Sequence, residues 1–297
     1  MDASRRSLLI GGTAAAALAP GTTPAATACA QRGGIPQALP LSGAPLLTAF
    51  MKLRASTDPR LTIGWMDAVN YAFIEGETIP LYRLYAATWA RFERRSDDLF
   101  EGRSIELAYF TDMRSGELLE TLTLPRTGRT VTVPRYRAGP STLKVMASRK
   151  ETREFDMPGE TRDAGSFFVR GQAISEQYLS QPERRGERIA IREDNGARVV
   201  TPAGKAGGFF YREWVIWSGD LDAVMRPDTV CVEPEVDYSA TTAWRPWMQM
   251  GDTPGHTLQN GRGGKAQRPE DLPPEHLRLT RRFHPDLLDD PERVLGK

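Results

Sequence analysis

Between Leu61 and Tyr238 the chain is almost wholly a succession of short runs rich in β-branched and aromatic residues, each stopped by a turn signal. That pattern excludes most folds other than an antiparallel β architecture. The clearest stretch is SIELAYFTDMRSGELLETLTL, in which Ile105, Leu107 and Tyr109 point to one side and Glu106 and Ala108 to the other. Arg114-Ser115-Gly116-Glu117 then reverses the chain, as in a hairpin. NYAFIEGETIPLY reads as two paired strands joined around Glu75-Gly76-Glu77, and Asn195-Gly196 supplies another turn dipeptide. Strands at such short spacing, with hardly a helix between them, predict a mainly β fold: an antiparallel, closed or nearly closed, calycin-like barrel.

The exceptions are few. PLLTAFMKLRAS places Leu46, Phe50 and Leu53 at helical spacing and predicts one short N-terminal amphipathic helix. GDLDAVMRPDTV predicts a single helical turn capped by Asp220 and stopped by Pro227, and TVCVEP a strand with Cys231 in its interior. From about Gly261 a tail rich in Pro, Arg, Asp and Glu is expected to wrap the surface irregularly, with room for one short helix around EHLRLTRR. No linker, repeat or low-complexity stretch divides residues 31–297, so a single β-rich domain is expected.

Residues 1–30 read as an export signal: the pair Arg5-Arg6, a short Ala-rich apolar run and a small-residue end at Ala28-Cys29-Ala30. The arginine pair points to the twin-arginine translocase as a partner, and so to a periplasmic or secreted protein. The apolar run falls short of the about twenty residues a bilayer span needs, so no stable membrane anchor is expected. Cys29 as a lipidation site is the alternative, against which stands Ala26 where such sites usually carry Leu. Once this segment is removed Cys231 is the only cysteine left, which excludes an intramolecular disulfide. Without Asp2, Arg5 and Arg6 the acidic and basic side chains balance, and no long basic run remains. A nucleic-acid partner is therefore not expected.

The familiar nucleophile, phosphate-loop and zinc signatures are missing, and AGKAGGFF precedes a strand where a phosphate cradle needs a helix. No cofactor is expected, and no metal either, since only His256, His276 and His284 are available and the last two sit in the polar tail. His256 follows a Pro-Gly turn with Asp252 four residues before it. The pair is a candidate catalytic couple in which Asp252 fixes the imidazole tautomer, while the plainer reading makes Asp252 a loop cap and His256 a surface residue. Arg245, between Trp244 and Pro246, suits an anionic group or a stack on a Trp. With Trp244, Trp247, Trp65, Tyr71, Tyr109 and Trp214 it forms the candidate ligand-binding set of an apolar interior. Trp214 and Trp217, three apart in a strand, must face opposite sides. Asp67, Glu106 and Arg212 are polar strand residues that enter the interior in one register and leave it in the other.

FMKLRASTDPRLTIGWM, SIELAYFTDMRSGELLETL, RAGPST and WRPWMQMGDTPGH together resemble the DUF1838 family. The likeness runs from about Phe50 to Lys265. It implies a single folded unit, often exported, with the tryptophan-rich segment as a hallmark, and it transfers no catalytic residue. The expected function is an exported barrel that binds a small apolar or aromatic molecule, with cofactor-independent isomerase, lyase or hydrolase chemistry as the concrete version. A non-catalytic carrier and a structural cell-envelope protein are the alternatives. Ionisable groups converging inside the barrel distinguish the enzyme from the carrier.

Overall fold

The computed structural model describes residues 37–155, 171–200 and 210–296. The export segment 1–30 with Cys29, and the glycine-rich residues 203–209, lie outside the described residues. In chain order the elements are β1 (Gln37–Ala38), α1 (Gly43–Arg54), β2 (Thr62–Ile74), β3 (Glu77–Ser96), β4 (Leu99–Thr111), β5 (Thr121–Thr123) and β6 (Thr130–Thr132). They continue with β7 (Tyr136–Val145), β8 (Ser148–Phe155), β9 (Gly171–Leu179), β10 (Glu183–Arg185), β11 (Arg188–Val200), β12 (Phe210–Asp220) and α2 (Leu221–Met225). The last are β13 (Glu235–Thr242), β14 (His256–Ala266), α3 (Pro274–Phe283), α4 (Pro285–Asp289) and α5 (Pro291–Leu295).

The fold is mainly β, and one large antiparallel sheet dominates it. Its hydrogen-bonded order is β7-β4-β3-β2-β14-β13-β12-β11; β11 then pairs at its start with β10, which carries β1, and further along with β9, which carries β8. The β2–β3 hairpin turns where the sequence predicts, Glu75 and Gly76 both adopting positive φ (51° and 84°). Asp112 accepts from the backbone N–H groups of Arg114 and Ser115 at 3.0 and 2.8 Å and so closes the next reversal. Asp220 caps α2 by accepting from the Ala223 N–H at 2.7 Å.

The sheet has two clothed faces. Inward, Phe50, Met51 and Leu53 of α1 pack with Phe100 of β4, Val145 of β7, Leu179 of β9 and Ile189 of β11. These strands belong to opposite ends of the order, so the sheet curls around α1 until its ends approach one another. Outward, Ile63, Trp89, Ile105 and Leu107 pack with Leu279, Leu287 and Leu295 of α3, α4 and α5. The curl leaves a mark on glycines of β14: a Cβ on Gly261 or Gly263 would lie 2.2 Å from a β2 carbonyl oxygen, of Asp67 or Trp65 respectively. Only glycine permits that approach. Lys265, buried near the end of the same strand, clamps the C-terminus of α1 by donating to the carbonyls of Lys52 (2.7 Å) and Ala55 (2.6 Å).

Among the described residues the hydrogen-bonded order is open, no ladder joining β7 or β4 to β8 or β9, although β7 and β8 are separated only by Met146 and Ala147. Three expectations are corrected. The tail is not irregular from Gly261, because β14 runs to Ala266 and three proline-started helices follow. Asn195-Gly196 is not a turn but lies inside β11, paired to Glu213 and Arg212. Cys231, expected in a strand, sits partly buried in the irregular stretch before β13.

Candidate functional site

The inward face carries a belt of polar side chains between its apolar ends. Across directly paired positions the belt runs Gln177 (β9), Asn195 (β11), Glu213 (β12), Ala240 (β13), Gln259 (β14), Asn70 (β2) and Tyr82 (β3). Six of these seven are polar or carry a hydroxyl, and the seventh is small. Such a row spends hydrogen-bonding groups where a curled sheet of this size could use leucines, so each needs a partner or a purpose. Asn195 Nδ2 donates to Glu213 Oε1 at 3.0 Å, and Tyr238 of β13 donates its hydroxyl to Gln259 Oε1 at 3.1 Å. Tyr211, two residues before Glu213 on the same face, also hydrogen-bonds to that carboxylate. Among the described residues the buried Asn70 Oδ1 and, on β13, the buried Thr242 Oγ1 have no hydrogen-bond partner.

Toward α1 the belt rests on a second charged group. Glu193, fully buried on β11, forms an ion pair with Arg54 of α1. Its two oxygens also accept from Gln177 Nε2 at 2.7 Å and Trp217 Nε1 at 3.2 Å. The guanidinium lies over the rings of Phe50 (5.8 Å) and Trp217 (5.9 Å), which fixes its position.

On the other side Glu106 of β4 faces inward, hydrogen-bonded to Tyr136 of β7. Arg245 of the tryptophan-rich segment acts on Glu106, Tyr136, Tyr82 and Tyr238 by its charge. The charge of Glu106 in turn reaches Tyr211 and Tyr238, four and more strands away in the order. Two carboxyls, the tyrosines and a guanidinium therefore act on one another across the inward face of the curled sheet, and Glu106 keeps accessible surface there.

Enclosure sets the protonation of both acids. Desolvation raises Glu106, opposed by Arg245 and the Tyr136 hydroxyl. Glu213 is pushed up to about 7, first by desolvation and then by the charge of Glu193; the hydrogen bonds from Tyr211 and Asn195 and the charge of Arg54 oppose the shift. A carboxyl poised near neutrality can both hold and release a proton at working pH.

The model of the family described as "Protein of unknown function (DUF1838)" matches residues 209–296. Over that stretch the chain is similar to the DUF1838 family. No curated protein matches the chain. The DUF1838 stretch contains β12 to β14, the tryptophan-rich segment and the three C-terminal helices, and so supplies Tyr211, Glu213, Tyr238, Arg245 and Gln259. Glu106, Tyr136 and Asn70 come from outside it. Of the four motifs that carried the resemblance, only WRPWMQMGDTPGH lies inside the matched residues.

Within the DUF1838 stretch, Trp247 packs on Tyr82 and Phe110 (ring centroids 6.4 and 6.0 Å), and Trp244 Nε1 donates to the Thr253 carbonyl at 3.0 Å. With Arg245 they form the cover over one end of the interior. Trp65 and Tyr109 are directed outward beneath α3 and α4, and Trp214 is exposed on the outer face. Tyr71 shares the outward parity of its partner Leu258. Asp67 and Arg212 also face out, paired with Arg83 (3.1 Å) and Glu176 (3.2 Å). Of the three polar strand candidates, the interior holds Glu106. His256 packs against Phe73 (5.1 Å) and Phe210 (6.4 Å); burial alone lowers its pKa, with no carboxylate acting on it, while Asp252 is exposed in the preceding turn.

Of the two tail histidines expected at the surface, His276 is not there and His284 is half-buried. His276 is 1% exposed on the inner side of α3, edge-on to Trp65 (5.8 Å) and Tyr85 (5.2 Å), with the Met66 backbone as the hydrogen-bonding group that acts on its ring. Burial holds it down at about 4, below its ordinary 6.5, and His284 is likewise held at about 4. The unfolded chain therefore takes up these protons first. The stabilisation from neutral His276 is complete above about pH 6.5 and is lost as pH falls toward 4, about 3 kcal/mol in all. Denaturant titrations between pH 7 and 4 should show this loss in the parent and a smaller one in His276→Leu. Equal slopes in the two proteins would refute it. Glu213, whose folded pKa is raised, acts in the opposite sense, so the difference between the two proteins is the quantity to read.

Proposed function

We propose that the protein is exported to the periplasm or beyond and binds a small, largely apolar or aromatic molecule inside its curled sheet, acting on it by proton transfer. In this reading the contiguous β7 and β8 bring the two ends of the sheet together as a nearly closed, calycin-like barrel, with α1 plugging one end and Trp244 to Met250 covering the other. The observation that supports the reading is the mutual influence of Glu106, Glu213, Tyr211, Tyr238 and Arg245 across the inward face of the curled sheet. A carrier needs few ionisable groups in its cavity, whereas acid–base chemistry needs a group that holds a proton near neutrality. Glu213 takes that role, Tyr211 and Asn195 orient its carboxyl, and Glu193 keeps it from ionising too readily. Glu106 with Tyr136 forms the second acid–base couple across the interior.

The test is native mass spectrometry of the mature protein recovered from the periplasmic fraction. A copurifying small molecule is expected. Its loss in a variant that fills the space, Ala240→Phe, with secondary structure retained, would support the interior as its seat. Failure to recover folded protein from that compartment, or a bound compound unaffected by Ala240→Phe, would overturn the reading.

A further inference from the structure

The C-terminal helices cover the outward face of the sheet over β2, β3 and β4. Beyond that cover one outward row crosses six strands through directly paired positions: Ser148 (β8), Tyr178 (β9), Asp194 (β11), Trp214 (β12), Ser239 (β13) and Asn260 (β14). Two large aromatic side chains stand open on it, Tyr178 at 53% and Trp214 at 39% exposure. Singly, such residues need no explanation. Here they share a row two strands apart, about 10 Å between backbones, and every other position of the row is polar.

The polar groups narrow what can lie there. Asn260 Nδ2 donates to Ser239 Oγ at 3.0 Å, which sets an uncharged amide and hydroxyl beside Trp214. The charges flanking the row are taken up by one another: Glu176 pairs with Lys150 (2.9 Å) and Arg212 (3.2 Å), and Arg192 pairs with Asp194 Oδ2 (3.2 Å). Charge complementarity therefore favours an uncharged occupant, since a polyion needs an excess of one sign to bind. The core of a protein interface is apolar and depleted of charge, whereas the position between these two rings holds a carboxylate. Asp194 Oδ1, a buried atom at that position, has no hydrogen-bond partner among the described residues. A neutral sugar chain meets all of these conditions. Its pyranose rings present C–H faces to aromatic planes, and the hydroxyls at their edges both donate and accept. In an extended β-linked chain alternate sugars lie about as far apart as Tyr178 and Trp214 stand.

We propose that this outward row binds a neutral β-linked glycan chain. One sugar stacks on Trp214 and the next but one on Tyr178; the sugar between them donates a hydroxyl to Asp194 Oδ1, and Ser239 and Asn260 meet the hydroxyls that follow. The site is separate from the interior and does not depend on the reading given for it. No covalent step is involved.

Isothermal titration of the purified protein with cellohexaose and chitohexaose, their disaccharides, and the charged hexamers of galacturonate and glucosamine tests the class. At least one neutral hexasaccharide is expected to bind with a Kd below about 1 mM. It should bind at least tenfold tighter than its own disaccharide, which is too short to span both rings, and than either charged hexamer. Trp214→Ala and Tyr178→Ala should each weaken binding at least tenfold while the melting temperature stays within about 2 °C of the parent, because both side chains are exposed. Tyr178→Phe, which keeps the ring, should retain it. If Trp214→Ala does not fold, Tyr178→Ala and the length dependence decide. Binding of no neutral hexasaccharide, tighter binding of a charged one, or affinity unchanged in both alanine variants would overturn the assignment. Self-association of the parent in sedimentation velocity, abolished by Trp214→Ala, would overturn it in favour of a second copy on the same row. None of these outcomes bears on the interior, whose test is Ala240→Phe.

Discussion

Arg54→Met is expected to cost about 3–5 kcal/mol of folding stability, more than any other change to a single charged side chain described above. The reason is not the strength of the ion pair as such. Glu193 is 1% exposed, and removing its cation leaves a desolvated carboxylate with only Gln177 and Trp217 as donors. In a chain of this size such a loss lowers the melting temperature on the order of 10 °C. Urea denaturation of Arg54→Met, Glu193→Gln and the double variant measures it. The double variant should recover much of the loss, since it removes the uncompensated charge, and the cycle should give a coupling above about 1.5 kcal/mol. A cost below about 1 kcal/mol for Arg54→Met would show that Glu193 is hydrated and that the base of the interior is open.

Trp247→Ala is expected to lose about 3–5 kcal/mol as well, by a different route. The indole is 8% exposed and packs among Tyr82, Leu84, Met248 and Met250, so truncation leaves a cavity where the cover meets the sheet. His256→Ala, eight residues after the last residue of the turn Pro246–Met248, should stay within about 1 kcal/mol of the parent, since only the edge contacts to Phe73 and Phe210 are lost. Thermal melts of the two variants separate these roles without any ligand. The reverse order, with His256→Ala far below Trp247→Ala, would mean that the histidine is the member of the core and the tryptophan is not.

The β grammar was legible because alternation is a local property. Ile105, Leu107 and Tyr109 do share a face, Glu75-Gly76 does turn, and Asp220 does cap α2. What failed was any step that needed a partner strand. Gly261 and Gly263 look like loop residues in isolation, and become strand residues only because β2 passes too close for a Cβ. His276 looks like a surface residue in a charged tail, and is buried because Trp65 and Tyr85, some two hundred positions earlier, present their rings to it. The interior groups follow the same logic. In FYREWVIWSGD the alternation separates Tyr211, Glu213, Val215 and Trp217 from Arg212 and Trp214. Nothing within the strand says which set faces inward; Trp214 attracted notice by size, although the inward set was the other one. The signal that could have found Glu213 is the parity of Trp217 with it, since only one of the two tryptophans can be inside.

The ladder between β14 and β2 joins His256–Ala266 to residues 63–73, and this has a consequence for the birth of the protein. A ribosome makes β2, β3 and β4 early, but β2 keeps a bare hydrogen-bonding edge until the last sixth of the message has been read. During that interval Trp65, Met66 and Val69 lie on a strand with one open edge, rich enough in apolar residues to join another nascent chain. Completion is therefore an event of the finished polypeptide, slowed by the long loop that must close first. A chain cut short before His256 would expose two long edges at once, on β2 and on β13, and its fate is aggregation or proteolysis, with no partly working half-molecule to be recovered.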